Sequence, residues 1–322
     1  MKSMKNRVAY LSTARVIGIL LVVLGHSYPF NVPISQGLEF LRSFIYSFHM
    51  PLFVFISGFL AAKSSRTPKD YILGRAKKLL TPYFVLSLAA FLPKLLVQAY
   101  LNDTVSLSFA YLIRSELVPR ENVWGHFWFL PVIFFLGVFS ALMRTPLKKR
   151  SVQIPLLVCS YLLLWLPKTT GWFALEDLRL NLFWYVLGYV LSDWEDFECL
   201  IRKKAWLLGF PTTLVLLWLN ISATALIPLM MIGAVLCLGT IVTVHSNVLK
   251  AIERYSFTIF LLSWPVQAVT EIILNKILHL PVWLCMIGML TAGIAGPMLC
   301  VLLIRWIEKK IPIRWLKPVL GM

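Results

Sequence analysis

Long apolar blocks dominate the pattern of hydrophobic and polar positions along the chain. Blocks such as 17–24 and 226–236 are continuous, with no alternation of apolar and polar residues. Many of them approach the roughly 20 residues that a helix needs to cross the hydrocarbon core of a bilayer. Because water is absent there, a spanning segment must satisfy its own backbone hydrogen bonds, as a helix does. The strands of an outer-membrane barrel would alternate instead, so the pattern predicts membrane-spanning helices.

These blocks predict an all-α fold, a polytopic membrane helical bundle of about ten transmembrane helices. Residues 1–322 are expected to form a single transmembrane domain, of which 305–322 is a short basic tail. The predicted spans are 14–31, 44–62, 79–99, 127–143, 152–166, 180–192, 205–220, 223–244, 256–274 and 282–304, and the sixth is unusually short.

The composition supports a membrane protein, and the charges predict its orientation. Hydrophobic residues make up 59% of the chain and charged residues only 14%, whereas soluble domains have about 25% charged residues. The net charge of +17 is concentrated in every second connection, and the positive-inside rule then places both termini in the cytoplasm. Orientation and attraction to anionic lipid headgroups explain the charge excess, so nucleic acid is not an expected partner. The basic segments are 2–7, 63–78, 144–150, 202–204, 250–254 and 305–317.

Two polar residues of the first predicted span are candidates for chemistry. Ionisable residues inside a membrane helix are costly, which makes them functional candidates. Arg15 and His26 lie close to three helical turns apart, on one face and separated by roughly 16 Å along the axis. Arg15 would lie at the cytoplasmic end and His26 toward the outer leaflet. The alternative interpretation keeps Arg15 as a positive-inside anchor and His26 as an interfacial cap.

The second span and the connection after it contain further candidates for binding. His49 is expected at the outer interface, at a depth similar to that of His26. Ser57 offers a hydroxyl to a substrate or to a neighbouring helix, and Gly58 beside it indicates close helix packing. Arg75 and Lys78 are three positions apart on a helix that enters the membrane, and such a cluster suits phosphate groups. Ordinary positive-inside charge is the alternative explanation for both cations.

Later spans add an aromatic pair and one acid. His126 and Trp128 precede and open the fourth span, where they could form an apolar wall for a sugar ring or anchor the helix at the interface. Glu271 is the acid expected inside the membrane, near its outer edge. The cysteines have no metal-ligand spacing, so no metal site is expected.

Five short motifs occur in a fixed order along the chain. They are Arg15-x10-His26, Phe48-His-Met-Pro-Leu-Phe, Ile56-Ser-Gly-Phe, Arg75-x2-Lys78-x3-Pro82 and Trp128-Phe-Leu-Pro. Together they resemble the acyltransferase-3 family of membrane acyltransferases, in particular its fucose 4-O-acetylase-like branch. Two positions depart from the family pattern. Many members have Arg where this chain has Lys78, and many carry Leu-His-x-Pro where this chain has Leu262-Ser-Trp-Pro.

The resemblance implies a membrane-bound O-acyltransferase, with O-acetyl transfer the expected case. The acyl group would pass from cytoplasmic acyl-CoA to a hydroxyl of a cell-surface or lipid-linked glycan. Acetyl-CoA would then be a co-substrate, with no permanently bound cofactor and no metal. The family's motif histidine corresponds to His26 and its motif arginine to Arg15. The expected location is the bacterial inner membrane, as a multi-pass protein.

Two mechanisms are open at this point. His26 could act as general base on the acceptor hydroxyl, or it could become acylated and relay the group outward. Arg75, Lys78 and Arg15 would bind the coenzyme A phosphates at the inner face. An alternative function is a transporter or flippase of a lipid-linked sugar, which would predict internal repeats that the chain does not show. A non-catalytic glycan-binding subunit is a further alternative, and the sequence does not give the oligomeric state.

Overall fold

The computed structural model describes residues 2–29, 32–97, 106, 108–168, 172–221, 223–242, 246–310 and 316–320. Over these residues the secondary structure is helical, with no strand, which confirms the all-α class. The α-helices are α1 (Lys2–Gly25), α2 (Gln36–Tyr46), α3 (His49–Ala62), α4 (Pro68–Arg75), α5 (Thr81–Val97), α6 (Phe109–Leu117), α7 (Phe129–Leu142), α8 (Arg150–Leu163), α9 (Leu175–Ser192), α10 (Phe197–Ile201), α11 (Gly209–Trp218), α12 (Leu226–Ile241), α13 (Asn247–Glu271), α14 (Val282–Glu308) and α15 (Leu316–Val319). Short 3-10 helices at Pro119–Glu121, Gly125–Trp128, Pro146–Lys148 and Lys204–Leu208, and π-helical turns at Ala76–Leu80 and Ile272–Ile277, connect or extend them.

Several helices have the length and composition of membrane spans. Within the described residues, the segments long and apolar enough to cross a bilayer are Gln36–Ala62, Pro68–Leu96, Gly125–Leu142, Asn247–Ile277 and Val282–Glu308. Shorter apolar helices are Ala9–Gly25, Arg150–Leu163, Lys204–Trp218 and Leu226–Ile241. Each predicted span overlaps a helix, while the count of ten crossings and the cytoplasmic termini stay predictions.

Two predicted boundaries differ from the observed helices. The first span was expected to reach residue 31, but α1 ends at Gly25. There the N–H of His26 is shared between Val22 O and Val23 O, and Ser27 N donates to Leu24 O, which closes the last turn. The helix at the sixth predicted span begins before the span does, because α9 starts at Leu175 rather than at residue 180. Its first turns carry charged residues, which a hydropathy pattern assigns to a loop.

The chain forms two compact units, and the first comprises Met1–Phe53 and Trp194–Pro312. In this unit α1 packs against α2, α12, α13 and α14. Close approach depends on glycines. A Cβ added to Gly239 of α12 would lie 2.5 Å from Tyr10 O, and one added to Gly293 of α14 would lie 2.8 Å from Val23 Cγ1. In the first unit, α1, which carries Arg15, is therefore surrounded by these helices.

The second unit comprises Val54–Asp193 and Ile313–Met322. Here α9 packs on α7 and α8, α4 packs on α7, and α15 packs on α5. Gly58 of α3 and Gly188 of α9 meet reciprocally. A Cβ at Gly58 would overlap the Tyr185 carbonyl, and one at Gly188 would overlap the Phe55 carbonyl. The close packing expected at Gly58 is therefore present.

Candidate active site

An ion pair holds Arg15, the first of the two predicted catalytic residues. Its Nη2 lies 3.1 Å from Glu253 Oε1 on α13 and 3.3 Å from Ser12 Oγ on its own helix. The two charged side chains are 34% and 27% exposed, so water reaches both. Arg15 thus joins α1 to α13 through a charge-assisted hydrogen bond, a strong type of contact in proteins.

His26 follows directly after α1 and contacts Tyr46, the last residue of α2. Tyr46 Oη lies 3.3 Å from His26 Nδ1 and 3.4 Å from Gly25 O. The two rings meet edge to face, with centroids 5.9 Å apart. The absence of a side chain at Gly25 makes room for this ring, because a Cβ there would lie 3.1 Å from Tyr46 Cε2.

His49 contacts the same phenol. Its ring centroid is 5.0 Å from that of Tyr46, again edge to face, and only 4% of the residue is exposed. Nδ1 of His49 lies 2.8 Å from Ile45 O, one turn earlier. A carbonyl can only accept, so the neutral His49 ring carries its proton on Nδ1. The structure therefore brings His26 and His49 together around Tyr46.

A buried amide fixes the chain segment that carries His26. Gln267 of α13 donates from Nε2 to Val23 O and to Ser27 Oγ, both at 2.8 Å. The Ser27 hydroxyl in turn donates to Val23 O at 2.7 Å. The end of α1 is thus tied to α13 on both sides of His26, which limits the positions that the imidazole can take.

Glu271, a predicted binding residue, lies one helical turn beyond Gln267 on α13. The residue is fully buried, and its Oε1 accepts from Asn275 Nδ2 at 3.1 Å and lies 3.9 Å from Lys276 Nζ. Oε1 of Gln267 and Oε2 of Glu271 are both buried and have no hydrogen-bond partner. Two acceptor atoms on one face of α13 therefore have capacity for a further donor.

Arg75 and Lys78, predicted to bind phosphates, lie in the second unit. Arg75 is half-buried against α7, with Nη2 3.4 Å from Ile133 O and its guanidinium 5.2 Å from the Tyr71 ring centroid. A Cβ on Gly137 would lie 2.6 Å from Arg75 Nε. Lys78 is exposed and falls in the π-helical turn Ala76–Leu80. This wider turn changes the α-helical spacing from which a shared face was predicted, and π-turns often accompany functional sites.

The aromatic candidates at the start of α7 also belong to the second unit. The His126 ring packs edge to face on Phe127, with centroids 4.6 Å apart. The Arg120 guanidinium lies 3.9 Å from the Trp128 ring centroid. The same guanidinium binds Asp177 through Nε at 3.0 Å and Nη2 at 2.5 Å. One face of Trp128 is therefore occupied by a cation, which supports an anchoring role for this ring.

Ser57, the remaining predicted binding residue, is half-buried on α3 beside Gly58. No group of three or more His, Cys, Asp or Glu side chains suited to a metal ion occurs among the described residues.

One comparison with known proteins decides the family. The family model of the acyltransferase domain, acyltransferase-3, matches residues 8–306, nearly the whole of the 322-residue chain. The chain belongs to the acyltransferase-3 family. Membership indicates a membrane acyltransferase, in agreement with the apolar helices. No curated protein and no solved structure matches this acyltransferase.

Two residues of the candidate site could not be predicted from the sequence. Glu253 stands among the polar residues at the start of α13, and its sequence neighbourhood gives no sign of a partner on α1. Tyr46 ends α2, twenty positions after His26, so no helical spacing relates the two. The only local signal is that Tyr46 stands three residues before His49, within one helical turn.

Proposed function

We propose that this acyltransferase is an acetyl-CoA-dependent O-acetyltransferase of the bacterial inner membrane. It transfers the acetyl group to a hydroxyl of a cell-surface or lipid-linked glycan. The observation that supports the proposal is His26, held between Tyr46 and the Gln267-bound end of α1, in a chain of the acyltransferase-3 family.

The chemistry required is the attack of a hydroxyl oxygen on a thioester carbonyl. His26 takes the hydroxyl proton as the new C–O ester bond forms, and it returns that proton to the thiolate as the C–S bond breaks. Neutral imidazole suits this role because one of its ring nitrogens carries a lone pair that can accept the proton. General acid–base catalysis of this kind contributes roughly 10²–10⁴ in rate.

The donor requires a cationic site for its phosphates. We propose Arg75 and Lys78 for this role because they are the two cations of the motif Arg75-x2-Lys78-x3-Pro82, and Lys78 is exposed. Lys77 lies on the same turn and is also exposed, which makes it a matched control. Lys78→Ala should raise the KM for acetyl-CoA about tenfold, because one charge-assisted hydrogen bond to a phosphate is lost. Lys77→Ala should change that KM by less than about twofold.

The experiment that tests the function follows radiolabelled acetyl-CoA in membranes that contain the wild-type protein. Label should appear in the glycan fraction, and the amount should rise with the quantity of protein. Label that stays transiently on the protein before reaching glycan would replace direct transfer by the acyl-histidine relay. No transfer to glycan, from acetyl-CoA or from longer acyl-CoA donors, would overturn the proposal.

A further inference from the structure

The hydroxyl of Tyr46 lies between two groups that could compete for its single proton. One is His26 Nδ1 at 3.3 Å and the other is Gly25 O at 3.4 Å. Gly25 is the last residue of α1, where a carbonyl has no donor within its own helix. Because a carbonyl oxygen can only accept, the Tyr46 proton satisfies it, and Oη then presents its lone pairs to the imidazole.

An imidazole nitrogen that faces the lone pair of a phenol must carry a proton. With the proton on Nδ1, the lone pair of neutral His26 is on Nε2. We propose that Tyr46 is a positioning residue that fixes the tautomer of His26, so that Nε2 is the atom that accepts the proton of the acceptor hydroxyl. This inference rests on the proposed general-base role of His26 and adds the atom that performs it.

Contacts with two neighbours hold the Tyr46 ring in place for this function. The rings of His49 and Tyr46 meet edge to face, and His49 is itself fixed by the bond of Nδ1 to Ile45 O. Gly25 allows the ring to approach the end of α1. The phenol is thus oriented by its neighbours, as is typical of a group that fixes a histidine tautomer through a hydrogen bond to one ring nitrogen.

Tyr46 is 47% exposed and lies at a helix end, where a tyrosine also serves as an interfacial anchor. Anchoring depends on the amphipathic ring, whereas tautomer control depends on the hydroxyl alone. The substitution Tyr46→Phe therefore separates the two roles, since it keeps the ring and removes only the hydroxyl. Tyr161→Phe on α8 is the matched control, because its ring packs on Trp165 and Phe183 in the second unit.

The test combines acetyl-transfer kinetics with nitrogen-15 spectra of protein labelled in its histidine rings. The His26 signals are assigned by their loss in His26→Ala. In the wild type, Nδ1 should appear protonated and Nε2 unprotonated. Tyr46→Phe should give mixed tautomers and lower kcat about tenfold, with KM for acetyl-CoA unchanged. Tyr161→Phe should match the wild type in both measurements.

Two results would overturn the inference. One is a wild-type His26 protonated on Nε2, and the other is a Tyr46→Phe protein with wild-type kcat and an unchanged tautomer. An active His26→Ala protein would refute the general-base function instead, and the wild-type spectrum would still decide the tautomer. Failure of the inference is therefore distinguishable from failure of the proposed function.

Discussion

At the residue scale, Arg15 on α1 and His26, which follows that helix, have different surroundings. Arg15 is partly exposed and bound to a carboxylate, whereas His26 contacts a neutral phenol. A charged partner can stabilise the fold irrespective of catalysis. The contribution of Arg15 to activity must therefore be separated from the contribution of its ion pair with Glu253.

Removing one charge of this pair should destabilise the protein more than removing both. Arg15→Gln and Glu253→Gln each leave a partly buried charge without its partner. Each should lower the free energy of unfolding by about 1–2 kcal/mol. The loss is smaller than for breaking a fully buried pair, because both side chains are partly exposed. The double variant leaves no unpaired charge and should recover most of that stability in thermal unfolding. If Arg15 serves the reaction, acetyl transfer stays low in the double variant. Full recovery of activity would make Arg15 a structural residue.

Glu116, on α6 outside the membrane-spanning segments, predicts a pH dependence of stability. Both carboxyl oxygens are buried without a hydrogen-bond partner, and this burial raises the pKa of Glu116 to about 7 from its ordinary 4.5. The folded state therefore holds the proton more tightly than the unfolded state. The Glu116 contribution to stability is fully present below pH 4.5, falls as the pH rises, and is lost above pH 7.

The variant Glu116→Gln keeps the shape and removes the titration. At pH 8 its free energy of unfolding should exceed that of the wild type by about 1–2 kcal/mol. This is less than the full pKa shift would give, because the residue is partly exposed to water. Near pH 4 the two proteins should unfold at similar temperatures. A difference in unfolding temperature that does not change between pH 4 and pH 8 would contradict this account.

The sequence predicts residue types for the candidate site, but not their contacts. The spacing of Arg15 and His26 predicts that both lie on one helix, whereas His26 follows the last residue of α1. The motif order adds their roles by resemblance. The partner of each depends on tertiary packing. Glu253 and Tyr46 belong to helices that contact α1 only in the folded protein. A periodic pattern within one segment of the sequence does not predict such tertiary contacts.

At the scale of elements, reciprocal glycines determine how closely α3 and α9 pack. Their backbones approach at Gly58 and Gly188, and each glycine faces a carbonyl of the other helix. Sequence suggested this contact for Gly58 because small residues allow membrane helices to approach. The partner helix could not be named, since α9 has many positions at which such an approach could occur.

Adding a methyl group at either glycine should separate the two helices. Gly58→Ala or Gly188→Ala should lower the free energy of unfolding by about 3 kcal/mol, because the new carbon overlaps a backbone carbonyl that cannot move aside. Gly37 of α2 is the matched control, since nothing lies within 4 Å of a Cβ there. Gly37→Ala should be neutral or stabilising by up to about 1 kcal/mol. Equal unfolding temperatures for Gly58→Ala and Gly37→Ala would contradict the close packing.

The presence of each helix could be predicted more accurately than the residues at which it begins and ends. Apolar blocks locate the helices because burial and lipid exposure both favour such residues. They do not show where a helix ends within a predicted span, as at Gly25, where a tight closing turn ends α1 before residue 31. They also miss turns that are helical but charged, as at the start of α9.

At the scale of the whole molecule, the alternation of basic connections is the feature that relates the chain to its membrane. We propose ten crossings with both termini in the cytoplasm, supported by that alternation. Connections of opposite predicted location contain exposed serines in the structure: Ser65 lies between α3 and α4, and Ser108 precedes α6.

Labelling with a membrane-impermeant maleimide tests this topology in intact cells. In a protein whose natural cysteines are replaced by serine, Ser108→Cys should react from outside. Ser65→Cys and Lys309→Cys should react only after the membrane is permeabilised. Equal labelling of Ser65→Cys and Ser108→Cys in intact cells would contradict the predicted orientation.

The catalytic role of His26 is tested by measuring acetyl transfer by His26→Ala on folded protein in the membrane. His279→Asn is the matched control, because His279 is exposed and has φ 51°, a conformation that asparagine tolerates. His26→Ala should lose at least 100-fold in the rate of transfer to glycan, with unchanged expression and unfolding temperature, whereas His279→Asn should retain the wild-type rate. A His26→Ala protein that is folded and transfers acetyl groups at a rate close to that of the wild type would contradict the account.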